Sequence, residues 1–103
     1  MRRDVFQAIA DPTRRAIINL VVHKPLNLNA IADNFKVSRP AISKHIKILT
    51  ECGLIVIKQY GRERYCEVKL ETLDEVSNWI VPLKAFWNSK LAALEQHLNN
   101  ENQ

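Results

Sequence analysis

The middle of the chain holds a short run of side chains whose chemistry is noncovalent recognition. Arg39, Lys44 and Lys47 recur within nine residues, and Ser43 lies between them. Guanidinium and ammonium groups donate hydrogen bonds to phosphate oxygens and to the acceptor edge of guanine, and a hydroxyl can donate or accept. These residue types at this spacing indicate binding of a polyanion.

The distribution of charge points to the same part of the chain. The 103 residues carry a formal net charge of +4, but residues 36–64 hold seven Lys or Arg against two Glu. From residue 65 onward, six acidic residues outnumber three basic ones. A polyanion is expected to dock on the central block, although an ordinary solvated face would show the same charges.

Length and composition bound the class of protein. With 47% hydrophobic and 25% charged residues, residues 1–103 are expected to form one globular domain. No stretch approaches the roughly 20 apolar residues of a membrane span, and the N-terminus lacks a signal-peptide core, so a cytoplasmic protein is expected. No glycine-rich phosphate loop, nucleophile motif or paired carboxylates indicate an enzyme, and no cofactor is implied.

The basic side chains need elements that hold them in one direction, and the sequence predicts four helices before Gly53. They are expected at residues 3–10, 12–24, 28–35 and 39–52. Asp11, Asn27 and Ser38 precede three of them as N-caps, because their side chains accept hydrogen bonds from first-turn amides. Pro40 is tolerated in a first turn, and Gly53 suits a left-handed stop.

The fourth predicted helix has two different sides. Ile42, Ile46 and Leu49 recur at four and three residues and are expected to face inward. The basic residues then face outward.

Beyond Gly53 the hydrophobic period changes from helical to two. Strands are predicted at residues 54–60 and 64–70 around a turn at residues 61–63, with Cys66, Val68 and Leu70 on one face. A capping box at residues 72–75 opens a last helix that runs to about Leu98. Pro82 predicts a kink in that helix or two abutting helices.

This order of elements is a helix-turn-helix followed by a β-hairpin wing. The predicted fold is mainly α with a two-stranded hairpin, a winged helix-turn-helix of the form α-α-α-α-β-β-α. The helix starting after Ser38 has the width of the major groove, and Arg62 and Arg64 at the hairpin tip would reach the flanking backbone or the minor groove.

Three sequence runs resemble the ArsR-type winged-helix transcriptional repressors. They are residues 6–17, 37–49 and 61–65, which follow one another in the family's order. Residues 79–87 with Lys90 and Leu91 further resemble a branch of SdpR-like autorepressors and of regulators encoded beside SRPBCC proteins. The resemblance implies a homodimeric repressor that binds an imperfect palindrome of double-stranded DNA and blocks a promoter. The alternative is a winged-helix module that binds a protein or RNA.

The resemblance also assigns the candidate DNA contacts. They are Ser38, Arg39, Pro40, Ser43, Lys44, His45, Lys47, Arg62 and Arg64. The family often keeps a histidine at the position of His45 near the DNA backbone, and the alternative is a packed, hydrogen-bonded histidine.

The family's classical metal sites have no counterpart in this sequence. Metalloid sensors carry a Cys-x-Cys pair in the helix before the recognition helix, where residues 28–32 contain no thiol. Zinc sensors use Asp and His on the last helix, where His97 stands alone. No metal site is predicted, and the inducer is unknown. Cys52 and Cys66 are interpreted as small buried residues, with a thiol switch as the alternative.

The last predicted helix carries an apolar stripe too long for one small domain to cover. Its members recur at spacings of four and three residues from Val76 to Leu98, and Trp79 and Phe86 widen it. We therefore expect a partner subunit, with completion of the monomer core as the alternative. The resemblance implies that the first and last helices pair across a two-fold axis. The predicted dimer-interface residues are Val5, Phe6, Ile9, Trp79, Leu83, Phe86, Trp87, Leu91, Leu94 and Leu98.

Overall fold

The computed structural model describes residues 4–101, so the predicted start of the first helix at Arg3 lies outside the described part. The chain forms two compact units, the first ending at Leu73 and the second beginning at Asp74. The first unit has four helices, a hairpin and a short 3₁₀ helix. The helices are α1 (Val5–Ile9), α2 (Pro12–Val21), α3 (Leu28–Ala32) and α4 (Arg39–Glu51).

The three predicted N-caps are confirmed. The Asp11 side chain accepts from the amide of Arg14 at 3.0 Å, Asn27 Oδ1 accepts from Ala30 at 2.8 Å, and Ser38 Oγ accepts from Ala41 at 3.3 Å. Each cap satisfies an amide that has no partner within its helix. Local sequence therefore sets where α2, α3 and α4 begin.

Helix α3 is shorter than predicted, because it ends at Ala32 and not near Phe35. The amides of Asn34 and Phe35 bond to carbonyls three residues back, those of Ile31 and Ala32. Such i to i−3 bonds tighten the backbone into turns and close the helix.

The core of the first unit lies between the helices and the base of the hairpin. Ile42, Ile46 and Leu49 are buried, so the predicted inner side of α4 is confirmed. The other buried aliphatic side chains larger than alanine come from α1, α2, α3 and the start of the hairpin. They are Val5, Ile17, Ile18, Val21, Ile31, Leu54 and Ile55.

The predicted wing is confirmed as an antiparallel hairpin of β1 (Ile55–Tyr60) and β2 (Glu63–Val68). Gly61 in its turn has φ +63° and Gly53 after α4 has φ +84°, a region that glycine enters without steric cost. Backbone bonds between Leu26 and Cys66, 2.8 and 3.3 Å long, tie β2 to the segment before α3.

Two predictions after the wing are wrong. Leu70 is not in β2 but opens the 3₁₀ helix Leu70–Leu73 and is 51% exposed. Thr72 does not open the last helix, because it lies inside this 3₁₀ helix and α5 begins at Asp74; its hydroxyl donates to the carbonyl of Gly53 at 2.7 Å. This tertiary hydrogen bond turns the chain out of the strand before the next helix begins.

The second unit is one helix, α5 (Asp74–Glu101), of 28 residues. Pro82 lies inside it, so of the two predicted alternatives, a kink or two abutting helices, the second is excluded. Proline removes one amide donor from a helix, and the remaining turns on both sides keep this helix continuous. No side chain of residues 74–101 is buried. Within residues 4–101, no helix has both the length and the hydropathy needed to cross a membrane.

Candidate nucleic-acid interface

Helix α4 presents its basic residues to solvent because its other side is fixed in the core. Arg39, Ser43, Lys44 and Lys47 are all exposed, while Ile42, on the opposite side, is fully buried. Ser38 and Pro40, also predicted to contact DNA, are exposed at the start of the helix. The solvent-facing side of α4, from its N-terminus to Lys47, therefore carries hydrogen-bond donors.

His45 is the predicted contact that the structure places differently. Its side chain is 22% exposed, and its Nδ1 lies 3.3 Å from Nη1 of Arg14 and 3.9 Å from Oδ2 of Asp11. The hydrogen-bonded alternative is therefore observed, and a contact of His45 with the DNA backbone stays a prediction. A guanidinium only donates, so Nδ1 is the acceptor of this bond in the neutral ring, whereas the charged ring would pair with Asp11 instead. His45 holds α4 against the beginning of α2.

Arg14 helps to hold α4 in place, and the sequence analysis did not identify this role. Its Nε donates to the carbonyl of Ala8 at 2.6 Å and its Nη2 to that of Gln7 at 3.2 Å. The neighbouring Arg15 donates to the carbonyl of Ile9 at 2.8 Å. The sequence did contain a signal for this role. Arg14 and Arg15 lie in the first turn of α2, where positive charge opposes the helix dipole, so a tertiary contact is the better reason for their presence.

We predict that Arg14→Ala lowers the free energy of unfolding by about 2 kcal/mol, because the carbonyls of Gln7 and Ala8 and the ring of His45 lose a charged donor. Urea denaturation followed by circular dichroism measures the effect. Lys24→Ala removes the same charge from an exposed loop and serves as the control. Equal losses in the two variants would show that Arg14 does not clamp α1 to α2 and α4.

The carboxylate of Asp11 predicts a pH dependence of stability. The amide of Arg14, and next the charges of His45 and Arg14, lower the pKa of Asp11 below its ordinary value of 3.8, against the opposing effect of burial. A lowered folded-state pKa stabilises the protein above 3.8, and this stability is lost as the pH falls through the folded value. We expect the stability advantage of the native protein over Asp11→Asn to shrink below about pH 4. An advantage of constant size from neutral to acid pH would contradict this.

On the wing, the cations divide into paired and exposed ones. Nζ of Lys58 lies 3.0 Å from Oε2 of Glu67, an ion pair that raises the pKa of Lys58 and lowers that of Glu67. Lys58 is therefore paired with an acidic partner within the hairpin. Arg62 and Arg64, the two predicted wing contacts, are exposed at and beside the tip.

Glu63 fixes the position of the wing tip. Its Oε2 accepts from the hydroxyl of Tyr65 at 2.7 Å and from Nδ2 of Asn27 at 3.3 Å. Asn27 is also the N-cap of α3, so one side chain connects the hairpin to the helix-turn-helix. The wing arginines are thereby held in a set position relative to α4.

Both cysteines are buried, which confirms their interpretation as small core residues. The Sγ of Cys52 donates to the carbonyl of Leu49 at 3.2 Å. Burial raises the pKa of the Cys66 thiol, with a smaller opposing effect of Arg64, and a thiol is a poor nucleophile. Residues 4–101 contain no cluster of three His, Cys, Asp or Glu that could hold a metal ion.

The predicted dimer residues separate into two groups. Val5 is 2% exposed and lies in the core, so its assignment to the interface is corrected: its side chain has no surface to offer a partner. Phe6 and Ile9 of α1 are half-buried. The predicted residues of α5 are exposed, and Trp87 is 61% exposed.

The two short helices α3 and α4, the turn between them and the hairpin that follows define a winged helix-turn-helix, the class of DNA-binding transcriptional regulators. Comparison with known proteins gives the family. The model of "Bacterial regulatory protein, arsR family" matches residues 11–56. The chain belongs to the arsR family of bacterial regulatory proteins. The family's members that the chain matches are transcriptional regulators and not enzymes.

Two curated relatives and one solved structure show how far the similarity extends. The HTH-type transcriptional regulator Rv2034 of Mycobacterium tuberculosis is 33% identical over 96 residues, 93% of this chain and 87% of the relative. The transcriptional repressor SdpR of Bacillus subtilis is 35% identical over 78 residues, 76% of this chain and 87% of the relative. An ArsR-like transcriptional regulator from Rhodococcus sp. RHA1 superposes with a TM-score of 0.71 at 32% identity, covering 89% of this chain and 87% of that one. The predicted family and fold are confirmed.

Proposed function

We propose that the protein is a homodimeric cytoplasmic repressor that binds an operator in double-stranded DNA and blocks a promoter. The observation that carries this proposal is the row of exposed donors on α4, whose opposite side is locked into the core. A repressor rather than an activator is favoured by the similarity to a relative named as a transcriptional repressor.

In this proposal α4 enters the major groove. Arg39 is placed to donate both guanidinium hydrogen bonds to N7 and O6 of guanine, while Ser43 reads an adjacent base edge. Lys44 and Lys47 reach guanine or phosphate. The exposed ends of Ser38 and Pro40 and the Nε2–H of His45 lie along the phosphate backbone, and Arg62 and Arg64 contact the flanking DNA.

Dimerisation supplies the second half-site. The apolar stripe of α5 runs from Val76 to Leu98, about 33 Å of helix at a rise of 1.5 Å per residue. Large apolar side chains exposed over such a length mark an interaction surface. We assign the interface to apolar residues of α5 and to two half-buried residues of α1. Its residues are Phe6, Ile9, Trp79, Leu83, Phe86, Trp87, Leu91, Leu94 and Leu98. Two copies would then present two α4 helices to an imperfect palindrome.

The test is selection of duplexes from random DNA by the purified protein. We expect enrichment of an imperfect palindrome with half-sites about one helical turn apart. For a dimer contacting roughly six phosphates, the logarithm of the affinity should fall with the logarithm of salt concentration at a slope near −5. Retention of no sequence above random DNA would refute specific operator binding.

A further inference from the structure

We propose that the cavity between α4 and the wing binds an organic anion with an apolar body, of the kind of a medium-chain carboxylate, and that this ligand competes with DNA. The competition rests on the proposed function, whereas binding of the anion does not. The cavity lies wholly within the first unit and has a volume of about 440 Å³. Cavities that hold small organic ligands fall in this size range.

The walls of the cavity are mostly apolar. Leu28 of α3, Ile46 of α4, and Ile57 and Cys66 of the wing line it. Ile57 pairs with Cys66 across the hairpin, yet Ile57 is 41% exposed while Cys66 is buried. A β-branched side chain left in water over an open cavity gains free energy when an apolar group covers it. The lining therefore suits a hydrocarbon chain or an aromatic ring.

The charges at the cavity select an anion. Lys47 and Arg64 line it, and both residues are exposed to solvent. Glu51 is the acidic residue among the lining side chains, which leaves an excess of one positive charge. A carboxylate at the mouth would accept hydrogen bonds from the ammonium and guanidinium groups while its apolar body fills the interior.

The same residues link the cavity to DNA binding. Ser43, Lys47 and Arg64 line the cavity and belong to the proposed DNA surface. A bound carboxylate would pair with two cations that otherwise contact DNA and would occupy the space between the recognition helix and the wing. Two ligands that use the same groups weaken each other's binding by the same factor. The ligand would thus act as an inducer that releases the repressor.

Binding is tested without DNA, by calorimetric titration of the full chain with decanoate below its micelle-forming concentration. Ile57→Trp fills the cavity from the wing and Thr50→Phe fills it from α4, and each should weaken decanoate binding about tenfold or more. The control Tyr60→Trp adds bulk to the opposite face of β1 and should leave the affinity unchanged. Decanol, which lacks the charge, and acetate, which lacks the chain, should bind at least about tenfold more weakly than decanoate.

Three results would overturn the site. They are no binding of decanoate to the native chain, equal binding of decanol, and full binding by both cavity-filling variants, which would place the decanoate elsewhere, for example on the apolar stripe of α5. Circular dichroism of each variant excludes loss of fold as the cause.

A second measurement tests competition with the selected DNA duplex. Saturating decanoate should weaken DNA binding by the native protein about tenfold, and it should have little effect on Ile57→Trp. Decanoate that binds in the cavity without changing the affinity for DNA would overturn the inducer role. A protein that binds decanoate as expected but no DNA would refute the proposed repressor function and leave the anion site supported.

Discussion

Arg39→Ala and Lys44→Ala should each weaken binding of the selected duplex about tenfold to hundredfold, because Arg39 loses a base-edge contact worth about 1–3 kcal/mol and Lys44 loses a contact to phosphate. Both side chains are exposed to solvent and are not among the buried residues of α4, so the fold and the dimer should persist. Fluorescence anisotropy with a labelled duplex measures the affinity, and circular dichroism checks the fold.

The two variants should also differ from each other. Arg39→Ala should relax the preference for one base pair, whereas loss of a phosphate contact in Lys44→Ala should lower the salt slope by about one. Lys24→Ala, which removes an equal charge from an exposed loop, is the matched control and should bind nearly as the native protein does. Unchanged double-stranded binding by both variants would show that α4 is not the recognition helix. RNA or protein binding would then be the better explanation of the basic face.

Trp87→Ala or Leu91→Ala should raise the dissociation constant of the dimer about tenfold to hundredfold. Truncating a large apolar residue at the centre of an interface costs about 2 kcal/mol or more, and aromatic anchors cost most. Analytical ultracentrifugation measures dimerisation. Gln96→Ala changes a residue nine positions from Trp87, on the opposite face of α5, and should leave the dimer unaffected.

A second measurement separates lost dimerisation from lost folding. Trp87→Ala should bind a single half-site as the native protein does, because the first unit is unchanged, but should bind the palindrome more weakly. A native protein that sediments as a monomer at micromolar concentration would contradict the dimer and the proposed role of the stripe.

The parts of the fold that follow from local chemistry were predictable from the sequence. Asp11, Asn27 and Ser38 cap helices because each side chain reaches an amide only three residues away. Gly53 and Gly61 mark turns because their backbone angles are costly for other residues. The spacing of Ile42, Ile46 and Leu49 orients α4, and from this orientation follows which basic residues face solvent.

Predictions failed where a hydrogen bond joins segments far apart in the chain. The hydroxyl of Thr72 was expected to cap a helix, but it donates to Gly53, nineteen positions earlier. The ion pair of Lys58 was not predicted, because its partner Glu67 is a diagonal neighbour across the hairpin and the sequence does not give that register. Val5 was assigned to the dimer interface together with Phe6 and Ile9, and the sequence alone does not say which neighbour covers a residue.

The sequence by itself determined the order of the elements, the helix starts, the basic side of α4 and the family, because all of these depend on neighbours a few residues apart or on motifs in line. Only the tertiary structure decided that Arg14 and His45 fasten the recognition helix to α1 and α2, and that α4 and the wing enclose a cavity. The contact between Arg14 and His45 joins residues 31 positions apart, and the cavity is lined by residues of α3, α4 and the wing. Which of these residues meet is set by how the helices and the hairpin pack.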